Sequence, residues 1–350
     1  MKIARYYNNN DIRLAEIPKP IIGLGELLVK VKKSGICGSD ILEYYRFAKM
    51  KKLGVDSLVL GHEIAGDIVE IGEGVKKKFK IGDRVFVSHH VPCFDCHYCH
   101  QGHHTACNLL HNTNFDPGGF AEYVRIPKVN IEKNGVYVLD KSVSYEEAVF
   151  IEPFGCVCRA QRLANVRKGL TVLILGSGVS GLLHIQLAKL RGAKKVFATD
   201  INEYRMDMAK KFGADEVFHA NEDIKRKIKE VNENRLADII IVCAGVISAA
   251  NQALECAAPG STIVYFAVPE PGVNLEVPIN DYWRNEITLM TSYGAAPEDL
   301  QESYIWILSK KINVIDLITH RFPLNKAKEA FEVVCEAKES LKVVLEPDIE

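Results

Sequence analysis

TVLILGSGVSGLLHIQLAKLRG, residues 171–192, decides how this chain folds. Its opening residues, 171–175, form an apolar run without alternation, the pattern of a strand buried on both faces. From residue 179 the apolar positions return at helical spacing. Between strand and helix lies Gly176-Ser-Gly178-Val-Ser-Gly181, a GxGxxG motif in the context that gives it meaning. The first glycine permits a tight turn, the second lets backbone approach a pyrophosphate, and the third lets helix and strand pack closely. The pyrophosphate then meets free N–H groups at the helix start, beside Val179 and Ser180. Asp200 ends the next apolar run, KVFATD, and a carboxylate there accepts hydrogen bonds from a ribose diol and repels a 2′-phosphate. Ile201, Asn202 and Glu203 follow, with no Arg among them to hold such a phosphate, so NAD is expected over NADP. Ile201 and Arg205 are counted with the cofactor contacts.

The same rhythm continues outward. A helical pattern at 204–213 is followed by an apolar run at 237–245, a helical segment at 247–260 and another apolar run at 261–268. Strand alternating with helix predicts a doubly wound parallel sheet. The first 150 residues differ. LLVKVKKSG, HEIAGDIVEIG, DRVFVS and GGFAEYVRIP are short and Val/Ile-rich, bounded by Gly, Pro or Asp, and predict a β barrel-like domain. Beyond 285, NEITLMTSYG and KVVLEP read as strands and PEDLQESYIWILSKK as a helix, in a tail expected to rejoin the first domain. The expected division is 1–153, carrying a lobe at about 89–111, then 154–288, then 289–350. KKKFK at 76–80 reads as a solvated loop.

Bulk properties remove several function classes. Forty-four basic residues nearly cancel 45 acidic ones, so there is no electrostatic footprint for nucleic acid or an anionic membrane. No apolar stretch reaches the ~20 residues that span a bilayer, and MKIARYYNNN lacks a signal-peptide core. A cytoplasmic location is expected.

Cys93, Cys96, Cys99 and Cys107 form C-x2-C-x2-C-x7-C, a spacing that places four sulfurs around one zinc at roughly 2.3 Å each. Four thiolates leave no open position, so this zinc is expected to be structural and to hold a loop that lacks its own core. Seven histidines crowd the same region, His89, His90, His97, His100, His103, His104 and His111. Most read as solvated loop residues, and His90 as the one that faces a substrate.

Three further fragments complete the set: Gly35-Ile-Cys37-Gly-Ser39-Asp40, Gly61-His62-Glu63 and Ile151-Glu152-Pro-Phe-Gly155. Each is weak alone. In this order, with the four-cysteine lobe, GSGVSG and Asp200, the chain resembles the zinc-containing medium-chain alcohol and polyol dehydrogenases along nearly its whole length. Within that family it is more similar to the sorbitol and threonine dehydrogenase branches, because Glu152 stands where the liver-type branch has a second metal-binding Cys.

The resemblance implies a GroES-like barrel domain with an inserted Rossmann domain, NAD as cofactor, and one catalytic besides one structural zinc. It implies metal binding by Cys37 and His62, with Glu63 and Glu152 both candidates. Thiolate plus one carboxylate already neutralises Zn²⁺, so only one glutamate is expected to bind directly when substrate is present. Ser39 falls where the family places a hydroxyl against the substrate oxygen. The liver-type relay histidine is replaced by Leu42, and a pyrophosphate-binding Arg by Gly38. The implied reaction passes a hydride from a secondary alcohol or polyol to NAD, giving a ketone. L-threonine or another amino alcohol, a phosphorylated polyol, and a non-catalytic zinc- and nucleotide-binding protein are the alternatives. Tyr44, Trp283 and Arg284 are candidate substrate contacts. Arg46, Lys49, Lys51 and Lys52 are either a solvated helix face or a patch that steers an acidic substrate. A homo-oligomer, tetramer or dimer, is expected, with ITLMTSY (287–293) as a pairing strand.

Overall fold

The structure is a computed structural model that describes residues 1–75 and 78–347. Lys76 and Lys77 of the KKKFK stretch and residues 348–350 of the tail lie outside the described residues. The chain divides into two compact units, Met1–Gly155 with Ala295–Glu350, and Cys156–Gly294. Among the described residues, no helix is long and apolar enough to cross a membrane.

The second unit is built on six parallel strands in the order Glu216–His219, Lys195–Asp200, Thr171–Leu175, Ala237–Val242, Ala257–Tyr265, Thr288–Thr291. Counted along the chain this is 3-2-1-4-5-6, the doubly wound arrangement of dinucleotide-binding sheets. Thr171–Leu175 is buried at every residue because it is hydrogen-bonded on both edges and covered on its faces, which explains the missing alternation. Leu173 packs with Phe197, Ile240 and Ile263 in the core, where truncation to Ala would cost roughly 2–5 kcal/mol. Gly176 adopts a φ of 98°, which only glycine takes readily. A Cβ on Gly181 would lie 2.0 Å from the Gly176 carbonyl oxygen, so the helix Val179–Leu190 starts in direct contact with the end of its strand.

The first unit carries a mostly antiparallel sheet, ordered Ile318–Pro323, Lys342–Glu346, Leu27–Gly35, Glu63–Ile71, Arg84–Val87, Val136–Val138, with Tyr123–Ile126 also paired to Leu27–Gly35. Leu27, Val29 and Val31 alternate inward and meet Ile64, Ile68, Val85 and Val124. A smaller sheet joins Asp11–Glu16, Lys2–Asn8 and Leu58–Val59. Gly35 pairs with Glu63 on one side and with Val344 on the other. That register gathers the ends of three strands, from distant parts of the sequence, around Cys37.

Candidate functional site

Cys37 sits in a turn just past the strand Leu27–Gly35. The Asp40 amide donates to the Cys37 carbonyl at 2.9 Å, and the Cys37 amide donates to Asp40 Oδ2 at 3.0 Å. The pairing of Gly35 with Glu63 then brings His62 and Glu63 alongside. One donor atom each from Cys37, His62 and Glu63 lies within 4.8 Å of the others. Thiolate, imidazole and carboxylate together are a zinc donor set. Glu63 Oε1 is buried and, among the described residues, has no hydrogen-bond partner, an orphaned acceptor that a cation or its water would satisfy. These residues fit the metal. A Cβ on Gly35 would lie 2.1 Å from Glu63 Oε2, so the glycine makes room for that carboxylate.

Asp40 organises the side away from the donors. Its Oδ1 lies 3.6 Å from His62 Nδ1 and accepts from Arg46 Nη2 at 3.1 Å. A carboxylate behind a ligating imidazole fixes ring orientation and tautomer. Burial opposes charging of His62, but Asp40, then Cys37, outweigh it and raise its pKa to about 10. The field that does this also draws a cation into the site. Arg46 overturns its reading as part of a solvated or steering face. It is 5% exposed, on the buried face of helix Glu43–Leu53, and Nη2 also donates to the Ser39 carbonyl at 2.6 Å and to Ser39 Oγ at 3.2 Å.

Lys342 was not singled out from sequence, where KVVLEP reads only as a strand. Its ammonium donates to Glu63 Oε2 and to the Ile36 carbonyl, and it lies over the Phe150 ring. Burial opposes its charge, yet Glu63 and then Cys37 raise its pKa. This alters the charge arithmetic behind the expectation of a single ligating glutamate. With a divalent ion bound, the three anions Cys37, Glu63 and Glu152 would be balanced by that ion and Lys342, and the sum would be zero. Glu152 lies in the first turn of helix Ile151–Leu163, is 9% exposed and acts electrostatically on both His62 and Lys342, but stands outside the group of three close donors.

Among the crowded histidines, His97, His100, His103 and His111 are exposed. His89 is not a solvated loop residue. Its ring centroid lies 4.8 Å from that of His62 and 3.8 Å from that of His90. Burial holds the His90 pKa down to about 3.

The four lobe cysteines also bring their sulfurs within 4.8 Å of one another. Cys93 Sγ and Cys99 Sγ are 3.8 Å apart, far beyond the ~2.05 Å of a disulfide. The Asp95 and Cys96 amides donate to Cys93 Sγ and hold its pKa down to about 6, as a thiolate ligand requires. Among the described residues, only Leu109 and Leu110 join the lobe cysteines in the local apolar cluster, a core too small to hold the lobe by itself.

In the second unit, Asp200 Oδ2 accepts from the Ser177 amide at 2.7 Å and Oδ1 from the Asn202 amide at 2.9 Å, tying the glycine turn to the next strand. Among the described residues, a Cβ on Gly178 would meet nothing within 4 Å, the open space that a pyrophosphate seat needs. Val179 and Ser180 open the helix there. Ile201 is 69% exposed, and the Arg205 amide caps its helix on Asn202 at 3.2 Å.

Residues 23–134 match the alcohol dehydrogenase GroES-like domain and residues 180–310 the zinc-binding dehydrogenase domain. The chain is 31% identical to the sorbitol dehydrogenase of Bacillus subtilis (strain 168), over 99% of this chain and 98% of that one. It is 32% identical to the L-threonine 3-dehydrogenase of Pyrococcus horikoshii, over 91% of this chain and 90% of the relative. The solved structure of galactitol-1-phosphate dehydrogenase from Escherichia coli superposes with a TM-score of 0.85 at 29% identity, covering 99% of this chain and 100% of that one. With the donor set, the four-cysteine lobe and the glycine turn in place, the chain belongs to the zinc-dependent medium-chain alcohol and polyol dehydrogenases and is an oxidoreductase of that family.

Proposed function

We propose that the protein oxidises a secondary alcohol or polyol to a ketone with NAD as hydride acceptor, at a zinc held by Cys37, His62 and Glu63 with Glu152 at hand. The observation that carries this is the convergence of those three donors beside Ser39, whose amide lies 3.5 Å from Cys37 Sγ. Zinc supplies Lewis acidity that makes a substrate hydroxyl easier to deprotonate near neutral pH. Ser39 Oγ accepts a hydrogen bond from Arg46, which leaves its own proton and remaining lone pair for the substrate oxygen. Arg46 and Asp40 are positioning residues for Ser39 and His62. Gly176, Gly178, Val179, Ser180 and Gly181 seat the pyrophosphate, and Asp200, Ile201 and Arg205 the adenosine end. Oxidation of L-threonine is the second reading, favoured by the likeness to the Pyrococcus enzyme.

The division of labour follows the expected domains, 1–153 with 289–350 for catalysis and 154–288 for NAD. We place the protein in the cytoplasm as a homo-tetramer or dimer. Thr288–Thr291 lies at the open edge of the parallel sheet, and such a strand pairs readily with a second copy. Light scattering on the eluted protein checks the assembly. The activity is tested by NADH formation from sorbitol, galactitol, 2,3-butanediol and L-threonine before and after chelation. Chelator-sensitive turnover of one member is expected. Turnover indifferent to metal removal contradicts the reading.

A further inference from the structure

Ser39 Oγ has one hydrogen-bond partner among the described residues, and that partner cannot take a proton. Arg46 Nη2 donates to Ser39 Oγ at 3.2 Å, to the Ser39 carbonyl at 2.6 Å and to Asp40 Oδ1 at 3.1 Å, which pins the guanidinium under the turn that carries Cys37. The Arg46 and Asp40 side chains are 6% and 1% exposed. Arg46 Nε is buried and, among the described residues, unbonded, so the group forgoes a hydrogen bond to hold this position. A guanidinium has only N–H donors, and its charge does not come off in proteins. A proton arriving at Ser39 therefore has no way on through Arg46. No other acceptor is free behind it. Position 42 holds an exposed leucine. Glu43 Oε1 accepts from the Asn9 amide at 2.9 Å. Asp40 spends Oδ1 on Arg46 and Oδ2 on the Cys37 amide. The other titratable groups in the field of Arg46 are Tyr6 on strand Lys2–Asn8, Lys49 on its own helix and His89, and among the described residues none is hydrogen-bonded to Ser39. What the arrangement supplies is charge. With one lone pair of Oγ given to Arg46, the Ser39 hydroxyl is left to donate, and a fixed cation behind a hydroxyl strengthens it as a donor.

We propose that Arg46 makes Ser39 an oxyanion donor rather than a proton relay. The Ser39 O–H donates to the substrate oxygen, and the Arg46 charge behind it favours the alkoxide over the alcohol. The alcohol O–H bond breaks with its proton going to water, no protein base standing in its path. The carbinol C–H bond then breaks with its electron pair passing to NAD, giving ketone and NADH. Arg46 is a positioning residue that acts through Ser39. The inference rests on the alcohol-oxidation reading above and states how the proton of that reaction is lost.

The test follows the pH dependence of kcat/KM for the best alcohol of the panel in zinc-loaded wild type, Arg46→Met, Arg46→Lys and Ser39→Ala. A hydrogen bond to a charged group predicts that the acid limb of the profile moves up by roughly 1–2 pH units in Arg46→Met, with the rate recovering at alkaline pH. Arg46→Lys should keep part of the wild-type position. Ser39→Ala leaves the Arg46–Asp40 pair in place, which covers the case of an unstable Arg46→Met, and should move the limb in the same direction. Adding Arg46→Met to Ser39→Ala should move it little further, because the charge acts through Ser39. A second readout needs no turnover. Trifluoroethanol, an alcohol that resists oxidation, should bind the NAD complex at pH 7 with release of a proton to an indicator dye. Its affinity should weaken roughly tenfold or more in Arg46→Met and in Ser39→Ala. A rate that drops by the same factor at every pH in both variants, or trifluoroethanol affinity and proton release equal to wild type, would overturn the inference and leave the oxidoreductase reading standing. Arg46-dependent proton release without oxidation of any panel alcohol would uphold the inference and overturn the substrate reading.

Discussion

Lys342 Nζ and Glu63 Oε2 form an ion pair whose side chains are only 3% and 0% exposed. Two charges removed from water this completely must satisfy each other, since desolvation costs several kcal/mol per ion. Their pairing sets the charge of the candidate metal centre as well as its shape. With Lys342 present, Glu63 and Glu152 can both stand near a divalent ion without leaving the site anionic.

Lys342→Met should therefore strand Glu63 and destabilise the protein by about 3–5 kcal/mol. Zinc content should change too, because the uncompensated carboxylate is pulled onto the metal. Thermal unfolding and metal analysis check this. Lys342→Met/Glu63→Gln should recover part of the stability, since it removes both charges. A single variant as stable as wild type contradicts the pairing.

Asp40→Asn keeps the shape of the side chain and removes the charge behind His62. Loss of such an orienting carboxylate typically weakens metal affinity by about 10–100-fold. Competition with a chelator of known affinity measures it, with the lobe zinc as an internal standard. Unchanged affinity at the Cys37 site would show that Asp40 serves only the turn.

The roles of the second and third glycines of the motif separate cleanly. Gly181→Ala places a methyl 2.0 Å from a backbone carbonyl oxygen and should lower stability and cofactor affinity together. Gly178→Ala meets no protein atom, so it should leave the unfolding midpoint alone and weaken only NADH binding. Fluorescence titration with NADH beside thermal unfolding distinguishes them. Equal NADH affinity in Gly178→Ala and wild type would remove the pyrophosphate from that turn.

His184 predicts an acid sensitivity of the second unit. It is fully buried, bonded to Gln161 and set edge-on to Phe266. Burial, with a smaller contribution from Arg191, pushes its pKa down to about 3. An unfolded chain takes up this proton near pH 6.5, and the folded one does not until about pH 3. The stability His184 contributes is thus complete above pH 6.5 and lost as pH falls toward 3, at up to about 1.4 kcal/mol per pH unit. In His184→Leu the urea midpoint should fall less steeply between pH 6.5 and 4. Parallel slopes in the two proteins would contradict the assignment.

The fold was legible where local pattern and tertiary context agree. An unalternating strand, a GxGxxG turn and a following helix leave one reading of residues 171–192, and six parallel strands bear it out. Cys spacing placed four sulfurs together because those residues are close in sequence as well as in space. What escaped was set by register. Lys342 meets Glu63 across 279 positions through two strand pairings that no local pattern encodes. Arg46 was misread because a helical face with four basic residues looks solvated. The acid that buries it, Asp40, was quoted within GICGSD without a role. His89 escaped for a similar reason, hidden among neighbours that are exposed.

The central claim is that Cys37, His62 and Glu63 hold a zinc that drives alcohol oxidation. NADH formation from the polyol and L-threonine panel, by zinc-loaded wild type against Cys37→Ser, tests it most directly. The account predicts oxidation of at least one secondary alcohol by wild type, and loss of that rate in Cys37→Ser while the lobe retains its metal. Turnover that survives in Cys37→Ser, or no oxidation by protein carrying zinc at both sites, would contradict it.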